Sequence, residues 1–121
     1  MREGRVTIEF KARTKEFAAS VIRLYVNLPK QRGEVSVIAK QVLRSATSVA
    51  AHVREASRAR SNAEFISKLG GALQEADESQ LWLELLEEEC GIDFNKTKPI
   101  HQEAGEIIAI MVTIVKNCKS G

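Results

Sequence analysis

The chain has 121 residues, 44% of them apolar and 28% charged, with a formal net charge of +2. That is the size of one domain with its own core, and it excludes a disordered tail, which would show few apolar residues and a large net charge. Two prolines, seven glycines and 5% aromatics argue against an all-β sandwich, and no apolar run approaches the roughly 18–20 residues of a membrane span.

The elements expected are four helices. In the first, over about residues 6–28, Phe10, Phe17, Val21, Leu24 and Leu28 recur at helical spacing, and Pro29 stops it. Lys30-Gln31-Arg32-Gly33 reads as the turn. The second runs over about 34–58, with Val35, Ile38, Val42, Ala46, Val49, Val53 and Ala56 on one face. Its opposite face carries Lys40, Arg44, Arg54 and Arg58 within a sector of roughly 80°, separated only by Thr47 and Ala51, with Glu55 at the edge.

The third helix, over about 61–90, opens on Ser61-Asn62-Ala63-Glu64, a capping box, and Gly91 stops it. Phe65, Leu69, Ala72, Ala76 and Leu83 form its core stripe. Gly70-Gly71 sits mid-helix, where each glycine costs about 1 kcal/mol relative to Ala and is usually offset by close approach of another helix. The fourth, over about 98–118, places Pro99 in its first turn and carries Ile100, Ala104, Ile107, Ile108, Met111, Ile114 and Val115. Short connections make this an all-α, up-down-up-down antiparallel four-helix bundle spanning residues 1–121 as one domain. Cys90 and Cys118 then lie at opposite ends, too far apart for a disulfide within the chain.

Two features exceed what one bundle needs. Residues 1–60 hold four lysines and nine arginines against five glutamates, for +8, and residues 61–121 five lysines against eleven acids, for −6. A basic half joined to an acidic half suits either self-complementary contacts or a basic face offered to an anionic partner. The second feature is surplus apolar surface: Leu81 and Leu85 turn away from the third core stripe, Trp82 sits sideways to it, and Ile110 and Val112 flank the fourth. Such faces call for burial against another subunit, so self-association is expected, with splayed helices as the alternative.

Catalytic patterns are missing. His52 and Glu55 share a helical face, but a carboxylate-bridged di-metal bundle needs Glu-x-x-His on two helices, and the chain contains none. No glycine-rich phosphate loop, Gly-x-Ser-x-Gly or Cys/His pair is present. The expectation is a non-enzyme without metal or cofactor. The N-terminal Met1-Arg2-Glu3-Gly4-Arg5 has no signal-peptide pattern, which makes a cytoplasmic location the default.

The run Arg44-Ser45-Ala46-Thr47-Ser48-Val49-Ala50-Ala51-His52-Val53-Arg54-Glu55-Ala56 carries the first half of a family resemblance. Ala63-Glu64-Phe65-Ile66-Ser67-Lys68-Leu69, Ala72-Leu73-Gln74-Glu75-Ala76-Asp77-Glu78-Ser79 and Trp82-Leu83 carry the second. Together they resemble the four-helix bundle proteins encoded in intervening sequences of bacterial 23S ribosomal RNA genes, a group similar to the accessory variability proteins of diversity-generating retroelements. The resemblance covers roughly residues 10–115. His52 stands where that family often has Asn, and Gly70-Gly71 replaces bulkier residues. The resemblance implies a homopentamer with a central channel and, for the retroelement relatives, nucleic-acid binding and a reverse-transcriptase partner. With the basic stripe it makes RNA or DNA the expected ligand of Lys40, Arg44, Arg54 and Arg58, with Arg23, Lys30 and Arg32 as neighbours. A protein-interaction scaffold without nucleic acid is the alternative.

Overall fold

The computed structural model describes residues 6–120. Within them the chain forms α1 (Ile8–Val26), α2 (Gly33–Ser57), α3 (Asn62–Glu88) and α4 (Phe94–Ser120), with no strand among the described residues. Local chemistry sets each boundary. Thr7 caps α1, its hydroxyl oxygen accepting from the Phe10 amide at 3.0 Å. α1 ends two residues before the sequence pattern does, because a residue that precedes proline is pushed out of the helical region. Lys30 then folds back, its ammonium donating to the Tyr25 carbonyl at 2.7 Å and lying 4.6 Å from the Tyr25 ring centre.

Ser61 caps α3 by accepting from the Glu64 amide at 3.0 Å, and the Glu64 carboxylate accepts from the Arg60 amide at 3.0 Å. The carboxylate therefore reaches one residue further back than in the usual reciprocal box. That amide is the main cause holding the Glu64 carboxyl below its ordinary range. At the other end Gly91 adopts φ +72°, a left-handed conformation open to glycine without strain. The turn lets the Cys90 and Ile92 amides donate to the Leu85 and Leu86 carbonyls.

α4 begins a turn earlier than the proline position suggests. The Asp93 carboxylate accepts from the Asn95 amide at 2.9 Å and the Asp93 carbonyl from the Lys96 amide, also at 2.9 Å. Residues 94–97 are thereby already wound when Pro99 is reached. Pro99 sits inside the helix and leaves the Asn95 carbonyl without its i+4 donor.

All four helices contribute to one core. Phe10, Phe17, Val21 and Leu24 meet Val35, Val42, Val49 and Val53, Phe65, Leu69, Leu83 and Leu86, and Ala104, Ile107 and Met111, all buried. The α2–α3 pair is the most extensive and α1–α4 the least. Glu55 meets Lys68, His52 meets Gly71, Ser45 meets Ser79 and Arg44 meets Glu75 and Glu78, so contacts fall in opposite order along the two helices. The Ser45–Ser79 hydroxyl pair is buried at 2.7 Å, with the Val42 and Glu75 carbonyls in reach of the two hydroxyls. Both cysteines are free thiols.

The two mid-helix glycines differ in what they face. A Cβ on Gly71 would lie 2.7 Å from His52 Cδ2 and 2.9 Å from Nε2, whereas one on Gly70 would meet nothing within 4 Å. The His52 ring is held there by Nδ1–H donation to the Ser48 carbonyl at 2.8 Å. The close approach expected at the glycine pair is thus made by one imidazole against one glycine.

Gly70→Ala is therefore expected to raise unfolding free energy by about 1 kcal/mol, the ordinary helix-propensity gain. Gly71→Ala should give no gain, because it displaces His52 and its hydrogen bond. In a His52→Ala background it should recover about 1 kcal/mol. Urea unfolding of these variants checks the coupling; additive effects at positions 52 and 71 would contradict it.

Candidate nucleic-acid interface

Lys40, Arg44 and Arg54 lie exposed on α2 and Arg58 exposed at its C-cap, but not in one electrostatic state. The Arg44 guanidinium reaches across to α3, 3.3 Å from Glu75 and 3.1 Å from Glu78. Its charge is already neutralised within the chain. The three flanking cations are engaged as well: Arg23 with Glu16, Arg32 with Glu34, and Lys30 with the last carbonyls of α1. The Glu34 carboxyl is held below its ordinary range first by its own backbone amide and then by Arg32. Among the described residues, Lys40, Arg54 and Arg58 make no ion pair.

Arg54 and Arg58 line a groove of about 1050 Å³ between α1 and α2. α1 supplies Lys11 and Lys15 to it, one helical turn apart, and neither has an ion-pair partner among the described residues. Arg60 and Lys68 also line it but are matched, Arg60 by Glu64 at 3.6 Å and Lys68 by Glu55 at 3.2 Å. Four cations remain uncompensated. Ile8 and Val53 also line it, and the small side chains of Ala12, Ala50 and Ala51 leave room there. The groove's two hydroxyls are committed to backbone: Thr14 donates to the Lys11 carbonyl at 3.0 Å and Ser57 to the Arg54 carbonyl at 2.6 Å. What the groove offers is positive charge.

The sequence alone does not single out Lys11 and Lys15, because the apolar stripe is the dominant pattern in α1. The available signal was an i,i+4 lysine pair, but its meaning depends on which face of α1 lies beside α2. Arg13, between them, points elsewhere. It donates to both oxygens of Glu103, at 2.7 and 2.9 Å, and to Glu106, tying α1 to α4. Glu103 above all, with Glu106, holds the guanidinium charged against the opposing effect of desolvation.

Among the candidate interface residues, Leu81 is 46% and Val112 49% exposed, and Leu85 is half-buried. Trp82 and Ile110 pack partly against the core, so some of the apparent surplus is internal. The Trp82 indole N–H is buried without a hydrogen-bond partner. α1 adds surplus of its own, with Ile8 77% and Val26 68% exposed on the side away from its core stripe.

His52 and His101 each have an ordinary structural partner, the Ser48 carbonyl and the Glu84 carboxylate (2.8 Å) respectively. Among the described residues no group of three or more His, Cys, Asp or Glu side chains is arranged to hold a metal ion. Nor is any helix long and apolar enough to cross a membrane.

Residues 7–113 match the family of 23S rRNA-intervening sequence proteins. Among solved structures, the chain is similar to a protein of unknown function from the S23 ribosomal protein family of Bacteroides thetaiotaomicron. The two share 38% identity over 88% of this chain and 95% of that one, with a TM-score of 0.78. No curated protein matches the chain.

The difference between Arg44 and the groove arginines is measurable as stability. Arg44→Glu sets a third carboxylate against Glu75 and Glu78 and is expected to lose more than about 1 kcal/mol at low ionic strength. Added salt should shrink that loss. Arg54→Gln and Arg58→Gln, which break no ion pair, should each stay within about 0.5 kcal/mol of the parent. Urea unfolding at two salt concentrations checks both.

Proposed function

The chain belongs to the 23S rRNA-intervening sequence protein family, and from that premise we propose that it is a non-enzymatic, homo-oligomeric nucleic-acid-binding protein of the cytoplasm. In this reading the subunit is an up-down-up-down bundle, and Arg54 and Arg58 form the centre of the binding face. The observation that carries it is the uneven neutralisation of the basic half. Arg13, Arg23, Arg32, Arg44 and Arg60 are spent on carboxylates of the same chain. Lys11, Lys15, Arg54 and Arg58 around the α1–α2 groove pair with no carboxylate among the described residues.

Unpaired cations clustered in one groove cost stability through mutual repulsion, and a polyanion relieves that cost by exchanging its counterions for them. Lys40, about 20 Å further along α2, extends the same face. Repetition of the face in an oligomer multiplies the phosphate contacts that one strand makes. Exposed Leu81 and Val112 and half-buried Leu85 are the surfaces proposed to meet another copy, with Trp82 and Ile110 supporting them from beneath. The resemblance sets the number at five.

Light scattering on protein purified without nuclease, with absorbance at 260 and 280 nm, tests this reading. Five chains of 13.4 kDa give a particle of about 67 kDa. That mass with excess absorbance at 260 nm is the expected result. The same mass without nucleic acid, and no binding on adding RNA or DNA, would favour the scaffold reading. A monomer would contradict self-association.

A further inference from the structure

We propose that the α1–α2 groove is a track for the sugar–phosphate backbone of a single nucleic-acid strand, gripped from one wall by Lys11 and Lys15 and from the other by Arg54 and Arg58. This rests on the nucleic-acid reading above and narrows it to a strand form and a residue set. Each wall presents its two charges one helical turn apart, about 6 Å between side-chain bases. An isolated phosphate would satisfy one or two of these cations, whereas a chain of repeating anions satisfies all four. The arginines add a planar fork that grips phosphate oxygens in pairs, and the lysines act as compact point charges.

The groove also suits a strand in its shape. It extends over about 1050 Å³, and Ala12, Ala50 and Ala51 leave room between the charged walls. That volume lies at the upper end of small-ligand pockets, roughly 300–1000 Å³, which is enough for a short stretch of backbone and far too little for the body of a duplex. A duplex would ride on the rim, and its second strand would be held off across a groove at least about 6 Å wide. One wall would go unused. No aromatic side chain lines the groove, so bases have no stacking platform there and the contact is with phosphate irrespective of sequence. The Thr14 and Ser57 hydroxyl protons are committed to backbone carbonyls, so nothing in the groove donates specifically to a ribose, and RNA and DNA strands serve equally.

Fluorescence anisotropy of the full chain with labelled oligo(U), oligo(dT) and an RNA duplex of equal length tests the proposal. The variants are Lys11→Glu/Lys15→Glu, Arg54→Glu/Arg58→Glu and, as a surface control remote from the groove, Lys96→Glu, each checked for helicity by circular dichroism. Both single strands should bind within about threefold of each other and about tenfold tighter than the duplex, and each groove variant should lose about tenfold or more. Lys96→Glu should match the parent. Equal or tighter duplex binding would overturn the track. Loss in the arginine variant but not in the lysine variant would overturn it too, leaving α2 alone as the binding face. If the parent protein bound none of the three probes, the nucleic-acid reading itself would fall.

Discussion

The neutralisation of a basic first half by an acidic second half, carried out across helix interfaces, is the constraint on which the rest of this structure depends. Arg44 on α2 is drawn to Glu75 and Glu78 on α3, and Arg13 on α1 to Glu103 and Glu106 on α4. Glu55 on α2 takes Lys68 on α3 in the reverse sense. The α2–α3 seam between these ion pairs is filled by the buried Ser45–Ser79 hydroxyl pair and by His52 against Gly71. Once that seam sets which side of α2 faces α3, Arg54, roughly 80° round from Arg44, turns toward α1. It shares the groove there with Lys11 and Lys15 and makes no ion pair among the described residues.

These ion pairs are half-exposed, so each contributes at most about 1 kcal/mol to stability. The core supplies the stabilisation, through buried aromatic and aliphatic side chains from all four helices. What the ion pairs determine is where charge remains. With 18 basic and 16 acidic residues, four unpaired cations in one groove leave 14 cations against 16 acids over the rest of the chain. The whole-chain charge therefore says little about the partner, and the local balance says more.

The sequence made the core legible because every helix has a stripe at helical spacing, and Phe17, Val21, Val42, Val49, Phe65 and Ile107 are buried as that spacing requires. Pro29, Ser61 and Gly91 were readable stops and starts since each acts through its own backbone or the next few residues. The start of α4 was not, because the Asp93 cap outweighs the positional habit of Pro99. Gly70 and Gly71 look identical in sequence, and only the placement of His52 separates them. The α2 stripe likewise could be read as a face but not divided into spent and unspent charge. That division depends on Glu75 and Glu78, 31 and 34 residues away in the chain.

The most direct test of this charge partition is the salt dependence of single-strand binding, measured for the parent protein and for a variant with Lys11 and Lys15 replaced by glutamine. Four engaged phosphates predict a slope of log K against log salt of about −3 per subunit engaged. Losing two of them should bring it close to half that value. A slope near zero, or one unchanged in the variant, would show that the unspent cations of the groove are not what holds the strand.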